Sequence, residues 1–199
     1  MDGGGLSPDK KPKWQAVSEF FWEMVRVAII SLAIILPVRY FLIQPFYVKG
    51  ASMEPNFYDH EYLIIDEISY RLHTPKRGDI VVFRYPLNPQ EYFIKRIIGL
   101  PGEKVEIKDG EVRIINKEHP DGIVVDEPYL TAGTRSYSTD EDPVALSDKE
   151  YFVMGDNRNA SKDSRSFGPV NQSFLTGKVL LRGWPFNRVN VFETPAYQF

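Results

Sequence analysis

The fold class is decided by the stretch Val105-Glu106-Ile107-Lys108-Asp109-Gly110-Glu111-Val112-Arg113-Ile114-Ile115. Apolar and polar residues alternate on both sides of its Asp-Gly pair, which puts the apolar side chains of each run on one face of an extended strand. Asp-Gly between two alternating runs is the strongest short-range signal for a β-hairpin. The sequence therefore predicts two antiparallel strands joined by a two-residue turn.

Short apolar runs bounded by turn-forming residues continue on both sides of this hairpin. Such runs are typical of strands, which we predict at 62–66, 80–85, 92–98, 151–154, 179–182 and 189–192. Pro86 and Pro89 are read as breaks before residue 92. Residues 131–147 are polar and rich in turn formers, so we expect a mobile loop there. No helical period persists beyond the N-terminal region, and the globular part is predicted to be all-β.

The composition excludes several classes of protein. The 199 residues carry a formal net charge of −3, so the charge gives no indication of a nucleic-acid partner. The chain has no cysteine, which excludes disulfides, iron–sulfur clusters and thiolate zinc sites. Its histidines, His60, His73 and His119, lack the spacing of metal ligands. No metal or other cofactor is expected.

The N-terminal region is predicted to form a cytoplasmic tail and a membrane anchor. Residues 1–13 are mostly Gly, Ser, Pro, Asp and Lys, which favours disorder, and the tail is assigned to 1–20. The run 27–38 is uncharged and almost wholly apolar, and the addition of 39–48 gives the ~20 residues that span a bilayer. We therefore predict a transmembrane segment at 21–45. A buried helix of a soluble protein and a cleavable signal peptide are the alternatives.

The basic residues around the apolar run predict its orientation. Four of them precede the run and two follow it closely, namely Lys10, Lys11, Lys13 and Arg26 before it, and Arg39 and Lys49 after it. Cytoplasmic flanks of membrane segments carry the excess of Lys and Arg. The N-terminus is therefore expected in the cytoplasm, and the remainder of the chain on the outer or lumenal face.

Two residues beyond the predicted anchor have the chemistry of a nucleophile and its base. Ser52 lies in Gly50-Ala51-Ser52-Met53-Glu54-Pro55, and Lys95 lies in the apolar run Tyr92-Phe93-Ile94-Lys95. A serine hydroxyl needs a base to remove its proton, and a lysine can serve when burial keeps its amine neutral. The alternative for Lys95 is a strand-edge lysine paired with a carboxylate such as Glu91. Arg96 should point to the opposite face of a regular strand.

A third cluster combines turn formers with charges directly after the predicted strand 151–154. It reads Gly155-Asp156-Asn157-Arg158-Asn159-Ala160-Ser161-Lys162-Asp163-Ser164-Arg165. The spacing allows Asp163 to pair with Arg165, which would fix a loop that presents Ser161 inward. A solvated surface loop is the alternative.

The clusters together resemble the type I signal peptidases (leader peptidases), the serine/lysine-dyad membrane proteases of peptidase family S26. The resemblance covers 46–103 and 151–169, and rests on the Ser52 motif, Arg77-Gly78-Asp79-Ile80-Val81-Val82-Phe83, Lys95-Arg96-x-x-Gly99-x-Pro101-Gly102-Glu103 and the 155–165 cluster. It implies two antiparallel β-sheets, a core shared with self-cleaving repressors. The catalytic core would comprise 46–103 and 151–199, with a smaller β or loop domain inserted at 104–150.

The resemblance also implies a role for each candidate residue. Ser52 would be the nucleophile and Lys95 the general base. The Ser161 hydroxyl would orient the lysine amine, and Asp163 and Arg165 would form the ion pair that steadies this part of the site.

One departure from the family pattern concerns the oxyanion hole. Some members carry a serine two residues before the nucleophile, and its hydroxyl donates to the oxyanion. This chain has Gly50 at that position, so the oxyanion hole is expected to depend on the backbone N–H of Ser52.

The implied activity is the removal of N-terminal signal peptides from exported precursor proteins through an acyl-enzyme. The signal peptide would end in Ala-x-Ala and bind extended along a strand edge. Val48, Met53, Phe93 and Ile94 flank the two catalytic residues and are predicted to form the pockets for the residues one and three before the cut. Trp184 and Phe186 are expected either in the lipid interface or in the core.

The expected partners are precursor proteins and the lipid bilayer, without nucleic acid, and the chain is expected to be monomeric. The expected location is the cell membrane, with a thylakoid membrane as the alternative. Two rival functions are considered. A self-cleaving repressor is disfavoured by the predicted anchor and by the absence of a DNA-binding domain. A membrane-tethered β module that binds extended peptides without catalysis remains the alternative.

Overall fold

The computed structural model describes residues 13–37, 44–138, 142–195 and 197. The chain divides into two compact units, Met1–Phe41 and Leu42–Phe199. The predicted disordered residues 1–12 lie outside the described residues. The same is true of 38–43, which fall inside the predicted anchor.

The first unit contains one helix, α1 (Lys13–Pro37), whose bounds differ from those of the predicted anchor. The helix begins before residue 21, and the predicted C-terminal part of the span is partly strand, since Gln44–Tyr47 forms β1. A period of two explains this strand, because Phe46 packs against the core while Pro45 and Tyr47 are exposed. Among the described residues, no helix combines the length and the apolarity needed to cross a bilayer.

The second unit is built on a large antiparallel sheet. Its strands are β1, β2 (Tyr62–Asp66), β3 (Ile80–Tyr85), β4 (Asn88–Gly99), β9 (Glu150–Met154), β10 (Val170–Asn171), β11 (Leu175–Trp184) and β12 (Asn190–Val191). They follow the order β1-β2-β11-β3-β4-β9-β10, and β12 pairs with β11. Two single-turn helices, α2 (Ser69–Leu72) and α3 (Ser164–Phe167), lie in the connections.

A smaller antiparallel sheet contains the hairpin from which the fold class was predicted. Its strands are β5 (Lys104–Lys108), β6 (Glu111–Ile115), β7 (Ile123–Val124) and β8 (Val144–Ala145), in the order β7-β6-β5-β8. Lys108 pairs with Glu111 across the turn, and the central residues have positive φ, 55° at Asp109 and 86° at Gly110. These angles are those of the type I′ turn that suits the twist of a hairpin. The predicted hairpin is confirmed, and so are the two antiparallel sheets.

Several predicted strand bounds were too short. β4 begins at Asn88 rather than at residue 92, because Pro89 lies in the exposed half of the strand, where a missing N–H is tolerated. β11 extends over Leu175–Trp184 instead of 179–182, while β12 is shorter than predicted. The predicted loop 131–147 contains β8, which pairs with β5; its residues 139–141 lie outside the described part.

Two buried clusters position the site. One fills the space between β1, β2, β3 and β11 and includes Met53 and Phe57, which anchor the segment after β1. The other joins the two sheets, because Phe152 and Met154 of β9 pack with Val105 and Val112 of the small sheet. The small sheet is therefore fixed against the strand that leads into the 155–165 cluster. Trp184 and Phe186 lie outside the core, with exposed fractions of 48% and 77%.

Candidate active site

Ser52 lies in the turn that follows β1. Contacts on both sides of this turn hold it in place. On one side, Gly50 has φ +91° and its N–H donates to Asp59 Oδ1 at 2.9 Å. On the other, the Asn157 N–H donates to the Ser52 carbonyl at 3.1 Å, and Asn157 Nδ2 donates to the Ala51 carbonyl. The turn is thus held by the loop that follows β9.

Lys95 lies within β4 and points its amine at Ser52. Lys95 Nζ is 2.7 Å from Ser52 Oγ and 2.7 Å from the Ile94 carbonyl. Only 3% of Lys95 is exposed to solvent. The ring of Phe93, whose centroid is 5.3 Å from Nζ, covers the amine on one side. The structure therefore brings the two residues together, and it does not place Lys95 in the predicted alternative, a surface pair with Glu91.

Burial changes the acid–base chemistry of this amine. Because an ammonium group is poorly solvated there, burial lowers the pKa of Lys95 from 10.5 to about 8. The carboxylates of Asp163 and Asp156 act in the opposite direction but do not cancel the effect. A neutral amine at 2.7 Å can accept the hydroxyl proton of Ser52 as that oxygen attacks a carbonyl carbon.

Arg96 points away from Lys95, as predicted from strand alternation. Its guanidinium forms a bidentate ion pair with Asp156, with Nε–Oδ1 at 2.9 Å and Nη2–Oδ2 at 2.7 Å. Asn56 Nδ2 donates to the same carboxylate at 2.8 Å and to the Tyr129 carbonyl at 2.9 Å. Since Asn56 follows Ser52 in the same turn region, this network connects the nucleophile segment to the strand that carries Lys95.

The predicted pair between Asp163 and Arg165 is present. Arg165 Nε and Nη2 each lie 2.8 Å from a carboxylate oxygen of the fully buried Asp163. The Gly155 N–H also donates to this carboxylate, at 3.0 Å. Burial raises the pKa of Asp163, but the hydrogen bonds and charge of Arg165 outweigh it, so the pKa stays below its usual value. Asp163 therefore remains ionised and fixes the loop around Gly155.

The position of Ser161 differs from its predicted hydrogen bond to Lys95. Its Oγ is buried beside Gly155 and contributes to the low pKa of Asp163. Within the described residues, this oxygen forms no hydrogen bond of regular geometry. The Lys95 amine instead donates to the Ile94 carbonyl. The role of Ser161 in orienting the amine remains a prediction.

A groove of about 670 Å³ opens beside the two catalytic candidates. Val48, Phe93 and Ile94 line it, as predicted for the substrate pockets, together with Leu63 and Val82. Met53 does not line it, because its side chain is 1% exposed and packs in the core beneath the Ser52 turn. Met53 therefore supports the turn rather than forming a pocket.

The sequence of this chain is similar to those of known proteins. A profile of the family described as "Signal peptidase, peptidase S26" matches residues 21–184. The chain is 36% identical over 190 residues to the probable signal peptidase I-2 of Synechocystis sp., covering 92% of this chain and 83% of that protein. This chain belongs to the signal peptidase S26 family.

Two further members of the family illustrate the range of the similarity. Signal peptidase IB of Staphylococcus aureus is 33% identical over 173 residues, which cover 79% of this chain and 86% of that protein. A crystal structure of a signal peptidase I from Enterococcus faecalis V583 is 35% identical and covers 53% of this chain and 97% of its own, with a TM-score of 0.43.

For this member of the family, the structure adds residues to the site that the sequence did not single out. Asn56 and Asn157 form the side-chain contacts described above, and Gly155 packs so closely against Ser161 and the Ser52 carbonyl that a methyl group would collide with both. The 155–165 cluster identified from the sequence contains Gly155 and Asn157 and was the motif that could have pointed to them. No sequence motif points to Asn56, because its hydrogen-bond partners lie 73 and 100 residues away in the sequence.

The predicted oxyanion donor is the backbone N–H of Ser52. The Ser52 N–H has no hydrogen-bond acceptor among the described residues, so it is available to a substrate oxygen. Gly50 has a positive φ, and a side chain there would be strained although no atom would block it. A serine hydroxyl at position 50 would thus require a different backbone conformation.

Proposed function

We propose that this chain is a signal peptidase that hydrolyses the bond after the signal peptide of exported precursor proteins, with Ser52 as nucleophile and Lys95 as general base. The observation that carries the proposal is the 2.7 Å contact between the Lys95 amine and the Ser52 hydroxyl. The low pKa of the buried amine supports it, because a base must be neutral to act. The relatives named signal peptidase I supply the substrate class.

The reaction proceeds in two steps. Neutral Lys95 takes the Ser52 proton while Oγ attacks the scissile carbonyl, and the Ser52 N–H stabilises the oxyanion. The ammonium then returns the proton to the leaving amine, which departs and leaves an acyl-enzyme on Ser52. In the second step, Lys95 activates a water molecule that hydrolyses this ester. The Asp163–Arg165 pair fixes the loop beside the amine, and Ser161 orients the amine when its hydroxyl turns towards it.

The substrate binds as an extended strand with two small side chains in the groove. β4 pairs with β9 only from Arg96 onwards, so its edge before Arg96 has no partner strand among the described residues. A peptide that adds to this edge passes Ile94 and Phe93, and its main chain completes the ladder. Val48 and Ile94 narrow the groove, which favours alanine one and three residues before the cut.

The proposed location of this activity is a membrane surface, and it rests on the apolar N-terminal sequence. In this proposal, the apolar segment before β1 anchors the chain as a single span, with a cytoplasmic N-terminus and the catalytic unit on the outer face of the cell membrane or in the thylakoid lumen. The exposed rings of Trp184 and Phe186, 4.7 Å apart, suit the lipid interface. The chain acts as a monomer in this scheme.

The test is cleavage of a precursor whose signal peptide ends in Ala-x-Ala. Ser52→Ala and Lys95→Ala should each reduce kcat/KM by at least about a thousandfold, because each removes a group that takes part in bond making. Ser147→Ala and Lys117→Ala, at exposed positions, are the matched controls. Full cleavage by either active-site variant would disprove the dyad. Binding of the precursor without cleavage by the unaltered chain would instead favour a peptide-binding module.

A further inference from the structure

A second cavity adjoins the proposed substrate groove. Its volume is about 750 Å³, and its walls come from β3, β4, β10, β11, α2 and the connections before α2, before β9 and after β10. Tyr92 lines this cavity and the substrate groove alike. The other lining residues do not belong to the active site described above. The cavity and the groove therefore meet at Tyr92.

Tyr92 forms a ridge between the two spaces. Its ring packs edge-on against Phe46 of β1, with ring centroids 5.4 Å apart, and half of the residue is exposed. In β4 it pairs with Arg84 of β3, which lines the second cavity. Tyr92 lies three positions before Lys95 on an extended strand, a distance of roughly 10 Å at about 3.3 Å per residue.

The strand edge determines which part of a substrate reaches this ridge. The described strands leave the β4 edge unpaired between Asn88 and Lys95 on the side that β9 occupies later. Strand pairing advances one substrate residue for each β4 residue, so a substrate whose last residue before the cut lies beside Ile94 has its third residue before the cut beside Tyr92. The fourth and earlier residues then lie beyond Tyr92, on the side of the second cavity.

The lining of this cavity differs chemically from the groove. The groove floor is aliphatic, whereas the cavity presents the amides of Asn171 and Gln172 and the hydroxyl of Thr176. Its charged side chains are two cations, Arg84 and Lys149, and one anion, Glu67. Such walls suit polar substrate residues, and the excess of positive charge favours an acidic side chain over a basic one.

We propose that the second cavity binds the polar segment about four to seven residues before the cleavage site, with a preference for an acidic side chain near Lys149. This inference rests on the proposed signal peptidase function. It makes the cavity a recognition site within the same precursor. The site contributes to binding and leaves the chemistry at Ser52 unchanged.

The experiment uses the full chain and two peptides with the same cleavage site. The long peptide begins eight residues before the cut and carries Glu at the fifth position before it, and the short peptide begins three residues before the cut. Lys149→Glu should lower kcat/KM for the long peptide by roughly threefold to tenfold, mainly through KM, since a partly exposed charge pair contributes on this scale. The short peptide should be unaffected.

A charge swap and a control variant sharpen the result. A long peptide with Lys in place of Glu should recover the lost activity with Lys149→Glu. Lys117→Glu, at an exposed position just after β6, should change the cleavage of neither peptide. Thr176→Trp, which fills the cavity, should raise KM for the long peptide alone. Equal effects on both peptides, or none on the long one, would overturn the inference. If the unaltered chain cuts neither peptide, the proposed function fails, and the inference with it.

Discussion

The amine of Lys95 is almost enclosed by protein, between the Ser52 hydroxyl, the Ile94 carbonyl and the Phe93 ring. Its pKa of about 8 follows from this enclosure, since no neighbouring cation is needed to explain the decrease. The adjacent Arg96 has the opposite environment, because the carboxylate of Asp156 holds its charge. The pKa values of two consecutive basic residues thus shift in opposite directions, because a strand points their side chains to different sides.

The first prediction concerns the pH dependence of cleavage. Lys95 must be neutral to accept a proton, so kcat/KM should increase about tenfold per pH unit below a pKa of about 8 and level off above it. The measurement is a pH profile between 6 and 9.5 with a peptide that has no ionisable group near the cut. A flat profile over this range would contradict a lysine base.

The second prediction concerns stability. Because the folded pKa of Lys95 lies below its value of 10.5 in the unfolded chain, the unfolded state binds the proton more tightly, and the buried lysine destabilises the fold below pH 8. This cost disappears as pH rises from 8 to beyond 10.5. Lys95→Met should therefore raise the free energy of unfolding by up to about 3 kcal/mol at pH 6.5 and by much less at pH 10.

Urea denaturation at the two pH values measures this difference, with Lys117→Met as the control at an exposed site. The two lost hydrogen bonds of Lys95 reduce the gain equally at both pH values. A variant that is less stable than the parent at pH 6.5, or whose gain does not depend on pH, would count against the buried charge as the cause.

At the scale of elements, the site forms where two turns meet, one following β1 and the other following β9. The turn after β1 carries Ser52, and the loop after β9 carries Gly155 and Asn157. One main-chain hydrogen bond and one from the Asn157 side chain join them. Asp163 ties this loop to Arg165 at the start of α3. The catalytic distance therefore depends on how closely the two turns approach each other.

The third prediction tests this approach. Gly155→Ala would drive a methyl group into Ser161 Oγ and the Ser52 carbonyl, so one turn must move. A displacement of about 1 Å at the nucleophile can reduce kcat by about a hundredfold, and we expect a loss of that size with little change in KM. Gly183→Ala in β11, whose nearest neighbour would lie at 3.7 Å, should have no effect. Equal activity of the two variants would show that the turns are not tightly coupled.

The sequence predicted interactions between neighbouring residues better than interactions between residues distant in the chain. The β5–β6 hairpin was predicted with its turn, because the Asp-Gly pair and the alternation act over neighbouring residues. The first two residues of β1, Gln44 and Pro45, were assigned to the anchor, because the apolar sequence around them fits both environments and only pairing with β2 distinguishes the two. Ser52 and Lys95 were identified from their motifs. Asn56 was missed, since its contacts reach residues distant in the sequence.

At the scale of the whole molecule, the chain has two compact units, and the described candidate active-site residues all belong to the second, Leu42–Phe199. The two sheets of this unit share a buried cluster. The Arg77–Glu103 ion pair, at 2.7 Å, also joins the segment before β3 to the residue before β5 of the small sheet. None of the described residues of the first unit lines the groove. Its proposed contribution is location rather than chemistry.

The fourth prediction tests what each of the two units contributes to activity. A chain that begins at Gln44 should cleave a soluble peptide with kcat/KM within about twofold of the full chain, because the groove residues remain. The same shortened chain should process a precursor embedded in lipid vesicles at least about tenfold more slowly, because it has lost the effective concentration that a shared bilayer provides. Parallel assays on both substrates are required. Equal loss on both would show that the first unit supports the catalytic fold.

The burial of the Lys95 amine also makes activity depend on complete folding. If the groove opens and water reaches Lys95, its pKa returns towards 10.5. At neutral pH the fraction of unprotonated amine then falls by about three-hundredfold, since the pKa changes by about 2.5 units. A partly unfolded copy whose Lys95 is exposed to water is therefore almost without a neutral base, so incomplete folding by itself keeps the protease inactive.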